Sequence, residues 1–246
     1  MDLSVIVDNL PRFASGAWIT IQLTVISVAI GFVCAVPLSL ARLSKNPLLR
    51  WPAYGFMFYF RGTPLIVQIF LIYYGSGQFV AELKAVGLWT YFREPYFCAI
   101  LTLSLNTAAY TAEILRGAIQ AVPHGEVEAA KACGMSYSLA FRRIIFPKAM
   151  RLALPAYTNE VVFLFQATSL VSIITILDLT GVGRIVISQS FRTFEVWIFV
   201  GLCYLVITYA MLYGFRLLEH RLMAHLRGRD EDQAEAAPAQ DAIAVR

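Results

Sequence analysis

Long apolar stretches separated by short polar segments dominate the chain. Five of them are long enough to cross a hydrocarbon core of about 30 Å, which takes roughly 20 helical residues. These stretches cover residues 16–41, 51–83, 95–121, 152–179 and 196–218. The pattern predicts an all-α integral membrane protein. A single membrane domain would occupy residues 16–218, after a short N-terminal segment (1–15) and before an acidic, alanine-rich tail (227–246) that we expect to be disordered.

The second stretch is too long for one straight helix. Gly62, Thr63 and Pro64 interrupt it, and we expect a break or tilt there because proline removes a backbone donor. Arg61 lies beside this break, inside the span. Three roles are open to it: contact with a substrate carboxylate at a gate, an ion pair with Glu160, or extension toward the membrane surface.

Composition and charge agree with a membrane location and set an orientation. Hydrophobic residues make up 59% of the chain, charged residues only 15%, and the mean hydropathy is +0.65. Fourteen of the 20 Lys and Arg residues lie on the side that holds the loop after the first span, the segment between the third and fourth spans, and the tail. The basic side of a membrane protein faces the cytoplasm. We therefore expect an external N-terminus and a cytoplasmic C-terminus, and we read the net charge of +4 as a topology signal without affinity for nucleic acid.

A short amphipathic segment, residues 123–134, lies between the third and fourth apolar stretches. Pro123 suits the first turn of a helix and Gly134 suits its C-terminal cap. The residues between them predict a helix of about 15 Å, which is too short to span the membrane and must lie on its cytoplasmic face. The segment and the residues after it carry a spaced motif, composed of Glu128, Ala129, Ala130, Gly134, Ile144 and Pro147.

This spacing resembles the cytoplasmic coupling motif of ABC-importer permeases, with Phe146 in place of the usual leucine. Four further runs carry the resemblance: residues 60–65, 105–111, 122–126 and 157–161. Residues 67–79 are similar to arginine permeases in particular. The resemblance is to permeases for histidine, arginine, other polar amino acids and opines, and it implies the five-helix type I importer fold with residues 123–134 as the coupling helix.

The resemblance also implies partners and a location in the bacterial inner membrane. We expect a permease subunit, embedded in lipid, that forms the pathway for polar, basic amino acids (arginine, ornithine, lysine or histidine) or for an opine. A periplasmic binding protein would deliver the substrate, a second permease subunit would complete the pathway, and two ATPase subunits would bind the ATP and magnesium. This chain itself has no Gly-x-x-x-x-Gly-Lys-Ser/Thr loop, so we expect it to bind no cofactor and to be no enzyme.

Polar residues concentrate in the fourth apolar stretch, where they are costly in hydrocarbon and usually face a cavity or a partner. The candidates for the substrate pathway are Asn159, Glu160, Thr168 and Ser169. Glu160 lies seven residues before Ala167, so the two positions share a helix face. In the family that the chain resembles, these positions hold a glutamate and an aspartate implicated in substrate binding. Ala167 therefore implies an incomplete site here, or completion by a paralogous permease rather than an identical copy.

The physical role of Glu160 has two readings. A carboxylate in a low-dielectric cavity needs a cation, which the guanidinium or ammonium group of a basic substrate would provide. The alternative is a structural ion pair, with Arg61 as the partner. Nearby, Glu113 and Arg116 are three residues apart, a spacing that predicts a local ion pair on one helix face.

Two other classes of function compete with the importer permease. A secondary transporter driven by an ion gradient would use Glu113, Glu160 and Asp178 as candidate proton or sodium sites. A membrane enzyme or sensor would need a nucleophile and base or a metal site, and neither the cysteines nor the histidines have ligand spacing. Small residues at four-residue spacing predict close helix packing in the first and third spans: Ser27, Gly31 and Ala35, and Ser104, Ala108 and Ala112.

Overall fold

The structure, a computed structural model, describes residues 4–244, with side chains as far as Arg221. The described chain is all-α. Its helices are α1 (Ser4–Asp8), α2 (Leu10–Leu43), α3 (Pro47–Gly62), α4 (Leu65–Tyr73), α5 (Val80–Ala85), α6 (Trp89–Phe92), α7 (Pro95–Gln120), α8 (His124–Ala132), α9 (Tyr137–Ala140), α10 (Phe146–Ala167), α11 (Leu179–Ser190) and α12 (Thr193–Ala244). The tail predicted to be disordered, residues 227–246, lies outside the residues with described side chains.

Within the described residues, five helical segments are long and apolar enough to cross a membrane, in the number predicted. They are Leu10–Leu43, Leu65–Ala85, Pro95–Gln120, Tyr137–Ile174 and Thr193–Arg221. The first begins earlier than the predicted residue 16, because Pro11 is tolerated in a first helical turn and Phe13 is buried against the start of α11 and α12. Most of the N-terminal segment 1–15 is therefore helical.

The break predicted within residues 51–83 is present between α3 and α4, so that the second spanning segment begins at Leu65, and a buried amide holds the break. The Gln68 side chain, only 1% exposed, donates hydrogen bonds to the carbonyl oxygens of Phe60 (2.9 Å) and Thr63 (3.1 Å). Asn106 of α7 donates to Gln68 Oε1 at 3.0 Å and to the Phe60 carbonyl at 3.3 Å. These bonds satisfy carbonyls that a broken helix leaves without partners, which is the condition for irregular backbone within a membrane.

The first and third spans form the most extensive helix pair of the bundle, α2 with α7. All six small residues predicted to pack there are buried. Gly31 marks the closest approach: a Cβ atom built on it would lie 2.3 Å from Thr107 Cγ2 and 3.2 Å from the Ser104 carbonyl oxygen. We call this contact the α2–α7 seam, and its small residues confirm the prediction of close packing.

The fourth span is irregular at both ends. A π-helical turn, Phe141–Ile145, precedes α10, and a 3₁₀ segment, Thr168–Ile174, follows it. Asp178 then caps the N-terminus of α11 by accepting hydrogen bonds from the backbone N–H groups of Thr180 (3.2 Å) and Gly181 (2.9 Å). Its carboxylate is fully buried and also accepts from the Tyr204 hydroxyl at 3.3 Å. Asp178 is therefore a structural cap.

Candidate substrate cavity and coupling helix

A cavity of about 440 Å³ lies between the break in the second span, α7 and α10. We call it the first cavity. It is lined by Thr63, Pro64, Leu65, Asn106, Tyr110, Glu160, Phe163, Leu164 and Ala167. Glu160 and Ala167 therefore share the face that their seven-residue spacing predicts. The break contributes because its non-helical residues open a gap between α4 and α7 that a continuous helix would fill.

Glu160 carries the only acidic side chain among the residues that line the first cavity, and it is half-buried there. Its Oε1 accepts a hydrogen bond from the Thr107 hydroxyl at 3.0 Å. None of the ion pairs among residues 4–221 includes Glu160. The Arg61 guanidinium instead approaches Glu113, at 3.8 Å. Arg61 and Glu160 therefore form no contact ion pair; the charge of Arg61 still acts on the Glu160 carboxylate, whose hydrogen-bond partner is the neutral Thr107 hydroxyl.

Three other residues predicted for the pathway do not line this cavity. Asn159 is exposed and is not among the residues that line it. Thr168 is fully buried and donates its hydroxyl to the Phe165 carbonyl at 2.6 Å, while Ser169 lines a separate cavity with Gln166 and Tyr204. The reason is that the backbone tightens into the 3₁₀ segment at Thr168, which rotates later side chains away from the face of Glu160.

Glu113 and Arg116 form the local ion pair that their spacing predicts. Arg116 donates to both carboxylate oxygens of Glu113, at 2.6 Å and 3.0 Å. Because Glu113 is paired in this way and Asp178 is a buried cap, two of the three candidate ion sites for a gradient-driven transporter already have structural partners. Glu160 is the remaining carboxylate of that set, and it faces the first cavity.

The short cytoplasmic helix predicted over residues 123–134 is α8, followed by a tight C-terminal cap. Gly134 has φ +75°, a left-handed conformation that favours glycine. Its N–H donates to the Lys131 carbonyl at 2.9 Å, and Met135 N–H donates to the Ala130 carbonyl at 3.1 Å. This is the glycine cap that the sequence predicts, and it ends α8 before α9 begins at Tyr137.

The spaced motif divides into an exposed part and a buried part. Glu128, Ala129, Gly134 and Pro147 are exposed, Ile144 is half-buried, and Ala130 is only 3% exposed. The sequence did not reveal one further contact, an ion pair between Glu126 of α8 and Lys148 of α10. This pair ties the short helix to the base of the fourth span, and it leaves Glu128 and Ala129 free on the outer face of α8.

Sequence reasoning also missed the residues that shape the first cavity from α7. Asn106 and Tyr110 line it, one helical turn apart, and Thr107 holds Glu160. Their signal was present, since polar side chains at positions 106, 107 and 110 interrupt an apolar span, where such groups usually face a cavity or a partner.

Comparison with known proteins identifies the family. Residues 27–224 match the family described as binding-protein-dependent transport system inner membrane component. The chain belongs to this family. It is thus a multi-pass permease of the inner membrane and a transport subunit rather than an enzyme, and the alternatives of a gradient-driven transporter and of a membrane enzyme or sensor are not supported.

Relatives of the permease cover nearly its whole length. It is 51% identical over 229 residues to the nopaline transport system permease protein NocM of Agrobacterium fabrum, covering 93% of this chain and 95% of that one. It is 41% identical over 217 residues to the histidine/lysine/arginine/ornithine transport system permease protein HisM of Salmonella typhimurium, covering 87% of this chain and 92% of that one.

Solved structures confirm the type I ABC importer fold. An amino acid ABC transporter with histidines matches with a TM-score of 0.80 and 33% identity, covering 90% of this chain and 99% of that chain. The MetNI methionine ABC transporter matches with a TM-score of 0.72 and 19% identity, covering 87% and 98%, and supports the fold alone. The permease is therefore an ABC-importer subunit that works with a binding protein and an ATPase.

Proposed function

We propose that this permease imports polar, basic amino acids or an opine, and that Glu160 binds the cationic group of the substrate. The observation that carries the proposal is a half-buried carboxylate that faces a cavity of about 440 Å³, accepts a hydrogen bond from the Thr107 hydroxyl and forms no ion pair within the described chain. A charge within the membrane needs a counter-charge. A guanidinium group provides one with two parallel hydrogen bonds, and an ammonium group provides one as a point charge.

The printed names of the relatives support the same substrate class. Relatives at 51%, 47% and 41% identity are named for nopaline, octopine, and histidine, lysine, arginine and ornithine. A site built on one carboxylate suits a cationic group in each of the basic amino acids.

The composition of the first cavity supports a second, paralogous permease subunit. Ala167 lies on the same cavity wall as Glu160, about two helical turns further on, and its side chain offers no polar atom. In our proposal a paralogue carries the complete acidic site, this chain forms the other half of the pathway, and a periplasmic binding protein delivers the substrate to both. Two ATPase subunits bind the ATP and magnesium.

The exposed outer face of α8 supports a docking role for this helix on the cytoplasmic side. Glu128 and Ala129 project from a helix that Glu126 and Lys148 attach to α10. We propose that α8 inserts into a cleft of an ATPase subunit, with the N-terminus of the chain periplasmic and the C-terminus cytoplasmic. Movement of the ATPases then shifts α8 and, through α10, the wall that carries Glu160, as a rigid-body switch.

The substrate proposal is tested by Glu160→Gln in the reconstituted complex of both permeases, the ATPase and the binding protein. Uptake is measured with labelled arginine, ornithine, lysine, histidine, nopaline and octopine. We expect KM of the best substrate to rise at least about tenfold, the size of one lost charge-assisted hydrogen bond. Glu82→Gln, at an exposed position on α5, serves as the control and leaves KM unchanged. Unchanged uptake by Glu160→Gln in a normally assembled complex contradicts the proposal.

The docking proposal is tested through a native cysteine. Cys133 is exposed at the end of α8, whereas the other three cysteines are buried or half-buried. A membrane-impermeant maleimide is expected to label Cys133 in inside-out vesicles only, and bound ATPase to protect it. Glu128→Arg is expected to abolish both the protection and co-purification of the ATPase, with Glu82→Arg as the control. Labelling from the periplasmic side, or protection that survives Glu128→Arg, overturns this proposal.

A further inference from the structure

A second polar cavity lies beside the first, about one helical turn nearer to the coupling helix. It has a volume of about 330 Å³ and is lined by Arg42, Tyr54, Met57, Phe58, Arg61, Gly62 and Glu113. On α7, Glu113 follows Tyr110 of the first cavity by three residues, a rise of about 4.5 Å. The second cavity therefore lies between the first cavity and the end of α7 that leads into α8.

A thin wall separates the two cavities. It consists of the Tyr110 side chain and the peptide segment 61–63, in which Thr63 lines the first cavity and Gly62 lines the second. The Tyr110 hydroxyl donates to the Arg61 carbonyl at 3.4 Å, and the Arg61 guanidinium lies 5.5 Å from the centre of the Tyr110 ring. Residues 61 and 62 end α3, so the Tyr110 side chain is the part of this wall that can rotate without a movement of the backbone.

The second cavity carries an excess of positive charge. Glu113 is its single carboxylate, and the two close contacts of that carboxylate are with Arg116 at 2.6 Å and 3.0 Å. Arg61 contacts Glu113 only loosely, at 3.8 Å, and its side chain is 40% exposed. Arg42 lies 4.7 Å from the centre of the Tyr54 ring and takes part in none of the ion pairs found in the described chain.

Arg61 and Arg42 share one nearby carboxylate, Glu113, whose closest contacts are with Arg116, and this excess of positive charge is complementary to an anion. The first cavity offers the opposite charge, because Glu160 is its acidic group and no basic side chain lines it. Every candidate substrate carries a carboxylate as well as a cationic group. The two cavities thus match the two ends of such a molecule, in the order in which it would meet them on the way to the cytoplasm.

We propose that the second cavity is a release-side binding site for the carboxylate of the transported amino acid or opine, with Arg61 and Arg42 as its ligands. The proposal rests on the proposed function of the first cavity. Arg61 exchanges its loose contact with Glu113 for the substrate carboxylate when Tyr110 moves aside. The site lowers the barrier to exit, because the carboxylate gains a charge-assisted partner before the cation leaves Glu160.

The test compares Arg61→Gln and Arg42→Gln with a matched control, Arg50→Gln. Arg50 lies on the same side of the membrane, 5.9 Å from the Trp51 ring, and is absent from the lining of the second cavity. The complete complex is reconstituted, and the probe is the compound that wild type takes up fastest. We expect the maximal uptake rate to fall about five- to tenfold in both cavity variants and to stay within about twofold in Arg50→Gln.

Three further measurements separate a binding role from a structural one. Binding of the labelled probe to the nucleotide-free complex is expected to be unchanged in Arg61→Gln, because the first cavity still binds it. Arg61→Lys is expected to restore at least half of the lost rate, since lysine keeps the charge. Glu160→Gln is expected to raise KM, whereas the arginine variants lower the maximal rate.

Several outcomes overturn the release site. The release site is contradicted if the maximal uptake rate is the same in Arg61→Gln, Arg42→Gln and Arg50→Gln. It is also contradicted if Arg61→Lys is no faster than Arg61→Gln. If Arg61→Gln fails to assemble, Arg42→Gln decides the matter alone. If Glu160→Gln raises KM but the arginine variants keep the wild-type maximal rate, only the release site is wrong. If Glu160→Gln leaves KM unchanged, the proposed function itself is wrong.

Discussion

The α2–α7 seam and the face formed by α4 and α10 differ in helix regularity and in packing. At the seam two unbroken helices meet through small residues, and a single added methyl at Gly31 would lie 2.3 Å from Thr107. On the other face the second span is broken at residues 62–64 and the fourth span changes to a 3₁₀ segment at Thr168. The first cavity lies along this broken face, and the second lies on the α3 side of the break, against α2 and α7.

The difference indicates that the α2–α7 seam is the scaffold of the permease and that the α4–α10 face carries its candidate site. Close-packed seams transmit force as rigid units, whereas a broken helix keeps polar backbone available and leaves space between its neighbours. Thr107 connects the two regions, since its methyl group contacts the seam at Gly31 and its hydroxyl holds Glu160. The position of the Glu160 carboxylate is therefore fixed relative to the α2–α7 seam.

The largest expected effect comes from removing the amide that holds the break. Gln68→Leu keeps the volume but removes the donor to the Thr63 carbonyl, leaves the Phe60 carbonyl with only the longer bond from Asn106, and deprives Asn106 of its acceptor Oε1. We expect the detergent-solubilised protein to lose about 3 kcal/mol, because buried unsatisfied groups cost about 1–3 kcal/mol each. Thermal unfolding measures the loss. Gln78→Leu, at an exposed position, is the control, and an equal unfolding temperature for both variants would show that the break needs no side chain to hold it.

An intermediate effect is expected from filling the seam. Gly31→Ala forces the Thr107 side chain to move, and overpacking of this kind costs about 1–3 kcal/mol. Because Thr107 holds Glu160, KM should rise as well as stability fall. Gly117→Ala on α7 is the matched control, since no atom lies within 4 Å of the added methyl there. If Gly31→Ala has wild-type stability and KM, the seam is not rigid.

The smallest effect is expected from a change that leaves the seam intact and alters the site alone. Thr107→Val keeps the shape but removes the hydroxyl that Glu160 accepts from at 3.0 Å. A lost hydrogen bond to a charged group predicts a three- to tenfold change in KM at nearly constant stability. The control is Thr111→Val, one turn further on, whose buried hydroxyl has no partner among the described residues. Identical KM values for the two variants would contradict the contact.

The apolar pattern predicted much of this fold because membrane helices are long and their breaks are local. Gly62, Thr63 and Pro64 lie at the observed break, and Gly134 has the left-handed conformation expected of a helix cap. The small residues at four-residue spacing are buried at the α2–α7 seam. In each case the property is decided within one or two helical turns, so a single sequence is sufficient to predict it.

The candidate site was harder to predict because its contacts join distant parts of the chain. Thr107 and Glu160 are 53 residues apart, and Gln68 and Asn106 are 38 apart. Arg61 could have paired with Glu160 or Glu113, and only the positions of the helices decide for Glu113. Thr168 and Ser169 do not line the first cavity with Glu160, because the α-helical period of the fourth span ends one residue earlier, at Ala167.

The anchoring of Glu160 through Thr107 has a consequence for how such permeases can diversify. The α2–α7 seam has no room for an extra methyl group and therefore tolerates few substitutions. New ligand preferences are expected to arise instead on the α4 and α10 side of the first cavity, at Leu65, Phe163 and Ala167. A saturation library restricted to those three codons should contain active transporters with altered selectivity, while an equal library at Gly31, Ser104 and Thr107 should contain almost none.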